Sequence, residues 1–170
     1  MKTNRISISK YNPLFRDVNG AYINNEWTSI SDIGKIYDNK IFSWEDYIET
    51  ESLYVKAIFK ILKYFQSNGI IISHLFQFED KNYFNKYGND NLKVTLQMIQ
   101  TGDYISEINT ISNLIELRLR EHIAELELKI EGSSQANITF GFDYYMYLET
   151  DHAIDPLQEQ IKELGLYCVG

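Results

Sequence analysis

The stretch from Ser43 to Ser67 is the strongest constraint on how this 170-residue chain can fold. Ser43 stands three residues before Asp46, the spacing of a capping box, and Glu45, Asp46 and Glu49 crowd the end where a helix dipole is positive. From there Glu45, Glu49, Ser52, Lys56, Lys60 and Lys63 recur at helical spacing along one stripe, and nearly every other residue from Leu53 to Phe65 is apolar or aromatic. A helix with so narrow a polar stripe has to be buried around most of its circumference, so it is expected at the centre of the fold. Asn68-Gly69 ends it.

The clearest β pattern lies near the C-terminus. Ala124, Leu126, Leu128 and Ile130 alternate with Glu125, Glu127, Lys129 and Glu131. After Gly132-Ser133-Ser134, the run Ile138, Phe140, Phe142, Tyr144, Met146, Leu148 alternates with Thr139, Gly141, Asp143, Tyr145, Tyr147, Glu149. Period-two alternation of this kind predicts a hairpin with one apolar and one polar face. The fold class that follows is α+β: an antiparallel sheet including this C-terminal hairpin, packed on the long central helix. The whole chain, residues 1–170, reads as a single domain, since its two prolines and nine glycines leave no linker.

The other segments read less sharply. Asn19-Gly20 and Asp38-Asn39 are turn signals, and Thr28, Ser29 or Ser31 caps a brief helix stopped by Gly34. Residues 70–79 and 92–99 read as strands, with a surface loop over 79–91 between them. Ser106 caps a helix through Ile108, Ile111, Ile115 and Leu119. Asp155-Pro156 opens a short helix with Leu157, Ile161 and Leu164 on its buried side, and Leu166 to Val169 forms an edge strand.

Chemistry is sparse. His74, His122 and His152 are isolated, and neither a paired-histidine nor a Cys-x-x-Cys spacing occurs, so no metal or other cofactor is expected. His74 is expected in the core of its strand. No glycine-rich phosphate loop or Gly-x-Ser-x-Gly elbow is present, and the exposed carboxylates lack the burial that a general acid requires. The reading is therefore not an enzyme. Cys168 is the one cysteine and reads as a small buried hydrophobe, which fits a cytoplasmic setting. No segment has the length of a membrane span, and MKTNRISISKYN lacks the apolar run of a secretory signal.

Charge is distributed unevenly. Residues 1–120 hold 14 acidic and 14 basic side chains, whereas residues 121–170 hold ten acidic groups against Lys129 and Lys162, which accounts for the net charge of −8. Nucleic acid would demand the opposite sign, and a basic protein partner fits instead. Glu125, Glu127, Tyr145, Tyr147 and Glu149 share the polar face of the expected hairpin, and Asp143 and Asp151 extend it. Tyrosines among acids on one face suit an interface, because tyrosine supplies contact area at little rotamer cost. Cover by another element of the same chain remains open.

Three groups of residues taken together, Tyr11-Asn12-Pro13 with Phe15-Arg16-Asp17, Glu26-Trp27-Thr28-Ser29 with Ser31-Asp32-Ile33-Gly34-Lys35, and Phe142-Asp143-Tyr144-Tyr145-Met146-Tyr147, resemble small bacterial immunity proteins encoded beside polymorphic toxins, including those of contact-dependent growth inhibition. The resemblance implies a cytoplasmic protein that binds and neutralises a cognate toxin domain, a basic nuclease being one class that the acidic C-terminal segment would suit. The alternative is a small-ligand or enzymatic α+β domain with a pocket beneath the long helix. A structural subunit, marked by a large apolar surface, is a third class.

Overall fold

A computed structural model describes residues 3–77, 84 and 86–170. In chain order the elements are β1 (Asn4–Ser9), a small ribbon of β2 (Ile36–Tyr37) and β3 (Lys40–Ile41), α1 (Trp44–Tyr64), β4 (Ile70–Gln77), α2 (Asp90–Met98), β5 (Tyr104–Ile105), α3 (Ile108–Leu119), β6 (Ile123–Glu131), β7 (Gln135–Phe140), β8 (Met146–Thr150), α4 (Asp155–Lys162) and β9 (Tyr167–Val169). Seven strands form one antiparallel sheet in the order β5-β4-β6-β7-β8-β1-β9. The fold is α+β with a long helix against the sheet, as the sequence predicts.

The register explains why the sheet has two different faces. Ile72, Leu128, Ile138, Leu148 and Ile6 are aligned across five strands, and all are buried in the single apolar cluster beneath the helices. One residue along, Glu127, Thr139, Tyr147 and Ser7 are aligned in the same way and turn outward. A one-residue slip would exchange the two sets, so the apolar alternation fixes the pairing.

Helix α1 supplies the other half of the core. The Ser43 hydroxyl accepts from the Asp46 amide while Asp46 accepts from the Ser43 amide, completing the expected capping box. Tyr47, Tyr54, Ala57, Ile58, Ile61 and Leu62 are buried, and the helix contacts both α3 and α4. Its last turn is tied to the β6–β7 turn: the Ser133 amide donates to Phe65 O at 2.6 Å. Gly132 permits that approach, because a Cβ there would lie 1.9 Å from the same carbonyl oxygen.

Four expectations are corrected. Residues 92–99 form most of helix α2, not a strand. The Asn89 side chain caps it by accepting from the Leu92 amide, and Leu92, Thr95 and Ile99 are buried at helical spacing while Val94 and Met98 are exposed. Helical spacing and a capping asparagine outweigh an alternation that both structures can show. The run 138–148 is not one strand: it breaks into β7 and β8 at a tight turn around Asp143 and Tyr144. The cap of α3 is Glu107, whose carboxylate accepts from the Asn109 and Thr110 amides, not Ser106. His74 lies on the solvent face, 2.9 Å from Glu125. Most of the loop expected over 79–91 lies outside the described residues.

Ile58 has no solvent exposure and belongs to the apolar cluster that unites α1 with the sheet. Ile58→Ala should lower unfolding free energy by about 2–5 kcal/mol, seen as an earlier urea midpoint.

Candidate binding face

Among the described residues, the outward-turned side chains of β6, β7 and β8 are exposed or half-buried. On this outer face the register brings Glu125 and Glu127 of β6 together with Tyr147 and Glu149 of β8, across the β7 residues Asn137 and Thr139. Tyr145 joins them from the turn before β8, its ring stacked on Tyr147 at 6.4 Å. Asp143 and Asp151 are exposed at opposite ends of β8, so they bracket this face without forming one patch with the rest.

Cations, most of them from the charge-balanced part of the sequence, interleave with these acids. Arg5 of β1 pairs with Glu149 at 3.1 Å and lies 4.7 Å over the Tyr147 ring. Arg16 donates to the Tyr145 hydroxyl and lies 5.7 Å over its ring. Lys129 pairs with Glu131 at 2.6 Å, and His74 with Glu125. Tyr11 stacks on Tyr145 at 5.3 Å and meets Tyr22 edge-on at 4.9 Å. Both tyrosine rings are therefore half-covered by the N-terminal segment. Among the described residues, Glu127, Asp143 and Asp151 form no ion pair.

At the Tyr145 end, the β7–β8 turn borders a cavity of about 220 Å³, walled by Thr28, Arg118, Glu121, Ala124, Phe140 and the turn itself. Asp143 and Tyr144 both adopt left-handed backbone, φ +53° and +63°. Each such non-glycine residue costs on the order of 1–3 kcal/mol and persists only when its surroundings hold it. Here they do. Tyr144 is buried, its hydroxyl donates to Leu119 O at 3.2 Å, and its carbonyl accepts from the Tyr54 hydroxyl at 2.5 Å. Arg118 donates to Gly141 O at 2.8 Å from the other side.

Beside this node is a buried lysine. Lys10 pairs with Glu26 at 2.5 Å between the rings of Tyr11 and Trp27, each 4.2 Å away. Burial lowers its pKa against the opposing pull of Glu26, and the enclosing rings leave it no approach for a substrate. Tyr22 donates to Glu26, and burial together with that carboxylate pushes its hydroxyl up to about 12.

A groove of about 270 Å³ follows α1 where it meets α3, the place for a ligand pocket beneath the long helix. Its floor holds a feature that sequence reading missed: Arg120 donates twice to Glu51, at 2.8 and 2.6 Å, and once each to Tyr87 O and Glu116. Its guanidinium also lies 5.2 Å from the Trp44 ring. Burial opposes the charge on Arg120, but Glu51 holds its pKa above the ordinary value. Burial, with Glu51 nearby, raises the Glu116 pKa. These donors are spent on internal partners. Only the off-stripe position of Glu51 on α1 could have signalled the pair.

Among the described residues no three His, Cys, Asp or Glu side chains converge as a metal set. No helix among them is long and apolar enough to cross a membrane. Burial pushes the Cys168 thiol up to about 11, which suits packing better than nucleophilic chemistry.

Breaking the buried pair with Glu51→Gln should cost about 3–5 kcal/mol in urea unfolding, because Arg120 would keep its buried charge with only the more distant Glu116 to offset it. Burial, with Arg120 adding repulsion, pushes His122 down to about 4 from 6.5. Between those values the unfolded chain binds a proton that the folded chain does not, so stability present above pH 6.5 should be lost as pH falls towards 4. His122→Gln should flatten that part of the pH–stability curve. Comparison with protein-family models, curated proteins and solved structures finds no match for this chain.

Proposed function

We propose that this chain is an immunity protein that binds a cognate bacterial toxin domain in the cytoplasm and blocks its working surface. The observation that carries the reading is the outer sheet face, where half-exposed tyrosines held by arginines lie beside outward-pointing carboxylates. A sheet face with rigid aromatic rings offers contact area at low entropic cost. The net charge of −8 and the solvent-facing Glu125 and Glu127 favour a basic toxin domain, of the kind that engages nucleic acid. The likeness of its three motif groups to immunity proteins points the same way.

Interleaved arginines confine the role of charge. The ion-paired Glu149 and Glu131 contribute little long-range field, so steering falls to Glu125, Glu127, Asp143 and Asp151. Blocking requires no chemistry from the inhibitor, which agrees with polar groups committed to internal bonds.

The test is to read the genes flanking this one and to co-express the chain with the toxin domain that this reading expects among them. Cells carrying both should grow, and the purified proteins should form a complex whose association slows as salt is added. Glu125→Lys together with Glu127→Lys should remove protection while leaving the thermal melt unchanged. Equal killing with and without the wild-type chain would sink the reading.

A further inference from the structure

Four large apolar side chains, carried by two segments that touch, stand exposed to solvent. Phe142, at the tip of the β7–β8 turn, is 90% exposed, and Leu14, Val18 and Ile23 in the segment after β1 are 84%, 101% and 66% exposed. The two segments touch: Arg16 donates to the Tyr145 hydroxyl, and Tyr11 stacks on the Tyr145 ring.

Neither segment is loose. Asp17 Oδ1 accepts from the Asn19 and Ala21 amides, Asp17 O accepts from the Gly20 amide, Arg16 donates to Gly20 O, and the Ile23 amide donates to Phe15 O. The Phe142 turn is closed by amide donation from Gly141 to Tyr145 O and from Tyr145 to Phe142 O. Buried Tyr144 and Arg118 clamp it from below. A chain that holds two non-glycine residues in left-handed backbone in order to point a phenylalanine at water has prepaid the ordering cost of a contact.

The geometry points to these two segments as the anchor of the interface, with Phe142 inserting into an apolar recess of the toxin domain. This rests on the immunity reading above. Partner chemistry follows from the neighbours: the exposed charge next to Phe142 is Asp143, while Arg16, Arg118 and Lys10 donate to groups of this chain and Glu121 accepts from Ser29. The recess is therefore rimmed by lysine or arginine. Division of labour also follows. Carboxylates along the sheet speed encounter, and the apolar tip sets residence time, as aromatic anchors in well-packed recesses generally do.

The experiment uses purified wild-type chain, Phe142→Ala, Val18→Ser and the Glu125→Lys/Glu127→Lys pair, each measured by surface plasmon resonance against the purified toxin domain found by the flanking-gene reading above. Thermal melts matched to wild type establish that each variant is folded, which the exposure of all four positions makes expected. Phe142→Ala should weaken binding by at least about 10-fold, almost entirely through faster dissociation. Val18→Ser should act in the same direction, and the lysine pair should act on association. Wild-type binding with Phe142→Ala and Val18→Ser both within about twofold of it would overturn the anchor and leave the immunity reading standing. A wild-type chain that does not bind the toxin domain removes both.

Discussion

The buried ring of Tyr144 holds together four parts of the chain that sequence places far apart. Its hydroxyl reaches the end of α3, its carbonyl takes a hydrogen bond from α1 through Tyr54, and the Tyr54 hydroxyl in turn accepts from the Lys10 amide after β1. Trp27 meets the ring edge-on at 5.0 Å. Left-handed backbone at Tyr144 is the local cost, and these contacts offset it. Without the node neither the aromatic N-terminal segment nor the β7–β8 turn would have a fixed place, and both border the candidate interface.

Much of this was legible in the sequence where a pattern had only one structural solution. The capping box at Ser43, the narrow polar stripe of α1 and the alternation through β6 each exclude other conformations, and they gave the fold class. Residues 92–99 did not have that property, since Leu92, Leu96 and Ile99 fit a helical face as well as Leu92, Val94, Leu96 and Met98 fit a strand. The break at Asp143-Tyr144 was hidden because apolar residues fall on the alternating positions on both sides of a turn, and no glycine marks its left-handed positions. Of the candidate site, the shared face of Glu125, Glu127, Tyr147 and Glu149 could be read from period two alone. Arg5 and Arg16 could not, because no local pattern says that β1 will lie beside β8.

That placement changes what the charge asymmetry means. Counted along the chain, the last fifty residues look like an acidic surface. Folded, Glu149 is matched by Arg5 from the first strand and Glu131 by Lys129 on its own strand, and the surviving unpaired carboxylates are dispersed along the sheet. An interface on this side is then mixed in character: aromatic and arginine-laced in the middle, carboxylate-bearing along β6, and apolar at the end where Phe142 stands. Rigid internal bonding of Arg120, Lys10 and Arg118 leaves few polar groups seeking a ligand and keeps the recognition at the surface.

The position of β1 has a consequence for how the molecule comes into being. Its partners are β8 and β9, so the first strand made must wait for residues 146–150 and 167–169 before it has anything to pair with. During synthesis α1 to α3 and the β4–β6–β7 part of the sheet can assemble while Ile6 and Ile8 remain without their neighbours, and α4 follows only after β8. Contacts of such long sequence separation slow folding, since chain closure is lost entropy until the last bonds form. The final event is then insertion of β1 between two strands that have just emerged, and the outer face is completed only in that step. A ribosome-bound chain halted before β8 should therefore hold a core but no finished binding surface.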